Sequence, residues 1–161
     1  MSPFTPNQAA FGTLGAFLIQ SQSKAQLVEG VDFNMAWFAK RTAPRRAMPQ
    51  PITLRGNPCG TIACAAGHAV FTDLAKPRRG ESWAEYVGRI FFDTDSCYGM
   101  TLDTTFKWAF GPDWERFDNT PLSAGHRCLY VAEHGEAPPK FHTHDRFEWA
   151  FGDFTHFRIS S

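Results

Sequence analysis

The stretch NPCGTIACAAGHAVF, Asn57 to Phe71, holds two cysteines, a histidine, two glycines and four alanines within fifteen residues. Three kinds of chemistry use such a set. A cysteine at a helix start is a nucleophile when free backbone N–H groups and the helix dipole stabilise its thiolate, and Asn57-Pro58 is a good helix opening just ahead of Cys59. Cys64 and His68 lie four residues apart, on one face of a helix, where Cys59 and either His126 or Cys128 would complete a four-ligand metal set. Packing is the third. Ala63, Ala66, Gly67 and Val70 recur at i, i+3, i+4 and i+7, a stripe of small side chains that lets another backbone approach closely, with Cys64 acting as a small hydrophobe.

The first two uses are weakened by spacing. The papain-like signature has two cysteines three residues apart followed by an aromatic, whereas Cys64 comes five residues after Cys59 and precedes Ala65-Ala66. The partner histidine of such an enzyme could be His126, His134, His142 or His144. Structural zinc sites pair ligands two to four residues apart, and the Cys59–Cys64 interval lies outside that range. A second metal candidate, FHTHD, offers His142, His144 and Asp145. The stripe therefore favours packing, with His68 hydrogen-bonded at the domain edge, and neither a metal nor a cofactor is expected.

The elements that must position these residues read as mainly α, a single compact domain over 1–161 with about five to six helices. Asn7 caps a first helix carrying Phe11, Leu14, Phe17 and Leu18. Val31 to Lys40 alternates too irregularly to assign. A helix is expected from Asn57-Pro58 to about Leu74. Ser82 and Glu85 form a capping box ahead of Trp83, Tyr86, Val87 and Ile90. Leu102, Phe106, Ala109 and Phe110 line the next helix, stopped by Gly111-Pro112. Thr120-Pro121 opens another, with Leu122, Gly125, Leu129 and Ala132 facing inward until Gly135. FKWAFG, Phe106 to Gly111, returns as FEWAFG, Phe147 to Gly152. The second copy reads either as a helix or as a C-terminal β-hairpin turning at Gly152-Asp153.

With 161 residues the chain has the size of one domain, and an aromatic share of 15% suits a core built from large rings. The apolar run Ala9 to Ile19 has no basic residue ahead of it and is too short to span a bilayer, so a cytoplasmic protein with four reduced cysteines is expected. Net charge is zero. The charge is nevertheless uneven: Phe33 to Arg79 carries eight bases against one acid, Glu81 to Ser161 thirteen acids against seven bases. Lys40, Arg41, Arg45, Arg46 and Arg55 crowd around a proline-rich loop, expected to be exposed over 41–56, where prolines prevent a long helix.

FNMAW (Phe33 to Trp37), CGTIACAAGHA (Cys59 to Ala69), GMTLDTTFKWAFGPDW (Gly99 to Trp114) and a Thr-Pro-started helix ending in HGE together resemble a group of uncharacterised bacterial and phage-associated small proteins. Their pattern is F-[DN]-M-x-x-W followed by C-G-T-x-x-C-x-x-G-[HW]-A. The resemblance spans roughly Val31 to Glu136. It implies no activity, but it implies that the segment Cys59 to Leu74 anchors the fold and that the origin is bacterial or phage. The chain departs from the pattern in its proline-arginine loop and in the aromatic segment 140–161.

These observations together point to a non-enzymatic protein-binding module. It would be a phage or mobile-element product that binds and modulates a host protein bearing an acidic patch. Lys40, Arg41, Arg45, Arg46 and Arg55 would meet that patch, and Trp149 and Phe151 would supply aromatic contact. No membrane partner is expected. The alternatives are a cysteine-dependent hydrolase or transferase using Cys59, and nucleic-acid binding through the basic loop with Trp37 or Phe38 stacking on bases.

Overall fold

The computed structural model describes residues 4–20, 31–33, 35, 40–41, 61–63, 65–96, 98–111, 114, 118–139 and 141. Its described part is mainly helical. The first helix, α1 (Gln8–Ile19), begins where expected: the Asn7 side chain accepts a hydrogen bond from the Ala10 N–H, and the Asn7 N–H donates to the Phe91 carbonyl at 2.8 Å. Phe11, Leu14 and Leu18 are fully buried.

Three short strands follow, β1 (Val31–Phe33), β2 (Lys40–Arg41) and β3 (Thr61–Ala63), in the order β1-β3-β2. β1 runs parallel to β3 with Val31 opposite Thr61, and β2 runs antiparallel with Lys40 opposite Ile62. β3 corrects the long helix expected from Asn57-Pro58. Helix begins only at α2 (Ala65–His68), which passes into a 3-10 turn, Ala69–Phe71. Thr61 and Ile62 are β-branched and Gly60 is a poor helix former, so the pairing offered by Val31–Phe33 outweighs local helix propensity. Of the expected small-residue stripe, Ala66, Gly67 and Val70 are buried, while Ala63 belongs to β3 and not to a helix. His68, expected at the domain edge, is fully buried instead.

The second half follows its capping signals. α3 (Trp83–Phe91) starts in a complete capping box: the Glu85 N–H donates to Ser82 Oγ at 3.2 Å and the Ser82 N–H to Glu85 Oε2 at 2.6 Å. Its inward face is Tyr86, Val87 and Ile90, while Trp83 is half-buried. α4 (Thr104–Phe110) is capped by Asp103, whose carboxylate accepts from the Thr105 and Phe106 N–H groups. Leu102, expected inside that helix, is 73% exposed on the preceding 3-10 turn, Met100–Leu102, and Met100 turns inward in its place. α5 (Pro121–His134) opens with a Thr120 cap and Pro121, and closes on Gly135 at φ +74°, a left-handed position that glycine takes without strain. Its buried face is Ala124, Gly125, Arg127, Cys128 and Val131; Leu122, Leu129 and Ala132, expected to face inward, are only half-buried.

α1 and α5 pack side by side through Gly15 and Gly125. A Cβ built on Gly125 would lie 3.0 Å from the Gly15 carbonyl oxygen and 2.6 Å from Ile19 Cγ1. Phe11 stacks on Phe110 at 5.4 Å and meets Phe91 and Phe92 at tilted or edge geometry, so the rings of α1, α3 and α4 share one core.

Candidate functional site

Of the seven expected binding residues, Lys40 and Arg41 fall within the described backbone. They form β2, an outer strand of the small sheet. Arg45, Arg46, Arg55, Trp149 and Phe151 lie outside the described residues, as do most of the 41–56 loop and the 142–161 segment with its candidate hairpin. Phe141 is the exception. It is buried, stacked on Trp114 at 6.0 Å and edge-on to Trp108 at 5.0 Å, so the aromatic C-terminal segment begins inside the core.

Cys59, Cys64, His142, His144 and Asp145 also lie outside the described residues. A helix running from Pro58 is incompatible with a strand at Thr61–Ala63, which removes the helix-terminus ground for an activated Cys59 thiolate. His68 has its ring 5.4 Å from the Phe33 ring and 6.1 Å from that of Phe71. Among the described residues no three His, Cys, Asp or Glu side chains gather in a metal-binding group.

One charged centre escapes a reading of the sequence. Arg127 sits on the buried face of α5 with no exposed surface. Its guanidinium lies 4.2 Å over the Trp114 ring, and Nη1 donates to Asp118 Oδ2 at 3.3 Å. Trp108 Nε1 donates to the Arg127 carbonyl at 3.1 Å, and Trp114 Nε1 donates to the Trp108 carbonyl at 2.9 Å. Burial pushes the guanidinium down to about 10, opposed by Asp118, so it stays charged at neutral pH. A ring face and one carboxylate compensate that charge, while Nε has no hydrogen-bond partner among the described residues. With no surface open to solvent, this centre ties α5 to Trp114 and the 118–120 segment and offers nothing to a ligand.

Other polar groups are likewise engaged by the fold. Arg89 grips Glu81 with Nε to Oε1 at 2.6 Å and Nη2 to Oε2 at 2.8 Å, and its guanidinium beside Glu81 holds that carboxyl below its ordinary range. Tyr86 donates to the Ala75 carbonyl at 2.9 Å, and burial pushes its phenol up to about 12.

Two surface features are not engaged in this way. Tyr98 is 92% exposed and Leu102 73%, on the turn between α3 and α4 that also exposes Asp93 and Asp95. Beside α1 runs an open groove of about 500 Å³. Ala16, Phe17, Ile19, Phe71 and Leu129 supply its apolar surface, and Thr13, Gln20, Thr72 and Asp73 its polar groups. No separate signal for it is present in the sequence, because Phe17 and Leu129, assigned there to the apolar faces of their helices, turn out half-buried.

Comparison with protein-family models, with curated proteins and with solved structures finds no match to the chain. No described helix is long and apolar enough to cross a membrane.

Proposed function

We propose that the chain is a non-enzymatic protein-binding module whose basic segment, Lys40, Arg41, Arg45, Arg46 and Arg55, meets an acidic patch on its partner. The observation that carries this reading is the position of Lys40–Arg41 on β2, an outer strand of the β1-β3-β2 sheet. The basic segment thus begins at a sheet edge. The fully exposed Tyr98 supports it as well, because exposed aromatic side chains are the usual anchors of protein interfaces. The charged groups described in detail, Glu81, Glu85, Arg89, Asp103, Asp118 and Arg127, serve caps and ion pairs within the fold. The resemblance implies a bacterial or phage origin, and the partner proposed for such a product is a host protein.

The test is a quantitative pull-down from bacterial lysate read by mass spectrometry, using the parent and the Arg45→Glu, Arg46→Glu, Arg55→Glu triple variant. A saturably captured protein lost with the triple variant, at unchanged thermal stability, is the expected result. Equal capture by both proteins would remove the basic segment from the function.

A further inference from the structure

The passage from the 69–71 turn to α3 runs through a strap, Ala75 to Gly80. These six residues are all exposed, the longest uninterrupted exposed run among the described residues, and none belongs to a helix or strand. Exposed segments of this kind are where proteases nick folded chains. Arg78 and Arg79 stand side by side in the strap, and neither makes an ion pair with a described residue. Two hydrogen bonds close the turn that carries them, from the Arg78 N–H to Glu81 Oε2 at 2.8 Å and from the Glu81 N–H to the Arg78 carbonyl at 3.1 Å. Bonds at the surface with no packed core over them open locally at small cost. Gly80 follows at φ +78°, and a Cβ built on it would meet nothing within 4 Å, so the Arg79–Gly80 bond faces open space. Lys76, the other base of the strap, donates its ammonium to the Val70 and Thr72 carbonyls and is followed by Pro77, so it offers no equivalent cut.

The contacts that join the two sides of this bond do not run through it. Just upstream, the Ala75 carbonyl accepts from Tyr86 Oη at 2.9 Å and the Lys76 carbonyl from Arg89 Nη2 at 3.2 Å, both donors on α3. α1, on the upstream side, meets Gly125 of α5 through Gly15 and sets Phe11 against Phe91, Phe92 and Phe110, all downstream. The Met35 N–H donates to Asn119 Oδ1 at 2.8 Å, again across the strap. Met1 to Arg79 carries nine bases and three acids, Gly80 to Ser161 seven bases and thirteen acids, so the two pieces are also of opposite net charge.

We propose that the Arg79–Gly80 bond is a processing site, cut by a protease whose specificity pocket holds a carboxylate for arginine, and that the two pieces stay together as one folded body. Hydrolysis adds one water across the amide: the C–N bond breaks, the Arg79 carbonyl carbon becomes a carboxylate and the Gly80 nitrogen an ammonium. The product is a two-chain complex, whose stability depends on its own concentration. The site lies outside the basic segment, so neither reading depends on the other.

Limited digestion of the full chain with trypsin, followed by sequencing of the new amino termini, tests the proposal. A Gly80 terminus should form at least about tenfold faster than termini following Lys107 or Arg127, which lie within α4 and α5. In gel filtration without denaturant the product should elute with the parent, and in urea it should divide on ion exchange into a basic and an acidic piece. Its Tm should rise with protein concentration. That of an identically treated Arg78→Gln, Arg79→Gln double variant, altered only at exposed side chains, should not. A Gly80 terminus no faster than those within α4 and α5 would overturn the proposal. So would pieces that part without denaturant, or a Tm that depends equally on concentration in the treated double variant.

Discussion

The contact between α1 and α5 gives opposite expectations for two glycine-to-alanine changes, at Gly125 of α5 and at Gly12 of α1. At Gly125 the added methyl would sit 2.6 Å from Ile19 Cγ1, 3.0 Å from the Gly15 carbonyl oxygen and 3.1 Å from Leu18 Cβ. Carbon atoms in contact prefer about 3.5–4.0 Å, and two of those three neighbours are backbone or Cβ atoms that no rotamer change can move. The helices must separate, with an overpacking cost of about 1–3 kcal/mol, against a gain of about 1 kcal/mol from replacing glycine inside a helix. Two contacts at or below 3.0 Å place the cost in the upper part of that range, about 2–3 kcal/mol, so the net is a loss of about 1–2 kcal/mol, or a fall in Tm of about 2–8 °C for a chain of this size. Gly12 is the control. Its added methyl would meet only Ala132 Cβ, at 3.6 Å, so Gly12→Ala should raise stability by about 0.5–1 kcal/mol through chain entropy alone. Urea denaturation of both variants, with m values compared to confirm the same transition, measures the two signs. Gly125→Ala as stable as the parent would refute the close approach of α1 and α5 at Gly15 and Gly125, and Gly12→Ala less stable than the parent would refute the wider spacing at Ala132.

Three further outcomes follow from single sites. Asp118→Asn leaves the buried Arg127 with no carboxylate, only the Trp114 face and neutral oxygen acceptors, and should destabilise by about 3 kcal/mol in chemical denaturation, whereas Arg127→Met, which removes the charge and keeps the volume, should be far milder. Glu81→Gln should lose up to about 1 kcal/mol at neutral pH, since the bidentate Arg89 pair is partly shielded from solvent. Because the Arg89 bond lowers the folded pKa of Glu81, its contribution is complete above the unfolded carboxylate range and vanishes as pH falls through the folded value; parent and variant melting curves should therefore converge in acid. Ala66 is fully buried, so Ala66→Leu should overpack the α2 region and lower Tm by several degrees; an unchanged melt would show the site to be loose.

The helix boundaries that carry local chemistry were legible in the sequence. Asn7, the Ser82–Glu85 box, Thr120-Pro121 and Gly135 each satisfy end groups of a helix by contacts within a few residues, and all four stand where the spacing places them. What depends on distant partners was not. β3 is three residues long and exists through pairing with Val31–Phe33, about thirty residues away, so a local propensity for helix at Cys59 to Ala63 carried the wrong sign. The buried face of α5 was misplaced for a related reason. A charged Arg127 reads as solvent-facing until Asp118 and the Trp114 ring, neither of them on α5, are seen to compensate it. The groove depended in turn on that face, because Leu129 looks like core when α5 is turned the other way. Of the basic binding residues, the backbone of Lys40 and Arg41 alone can be placed, at the sheet edge.

The central claim, that the basic segment meets an acidic protein surface and not a polyanion, is tested most directly by fluorescence anisotropy of short labelled single- and double-stranded oligonucleotides titrated with the full chain at physiological salt. No saturable binding is expected, because the acids of Glu81 to Ser161 outnumber the bases there by thirteen to seven and repel a polyanion approaching that half. Saturable binding whose log affinity falls linearly against log salt, and which the Arg45→Glu, Arg46→Glu, Arg55→Glu triple variant abolishes, would contradict it and assign the segment to nucleic-acid phosphates.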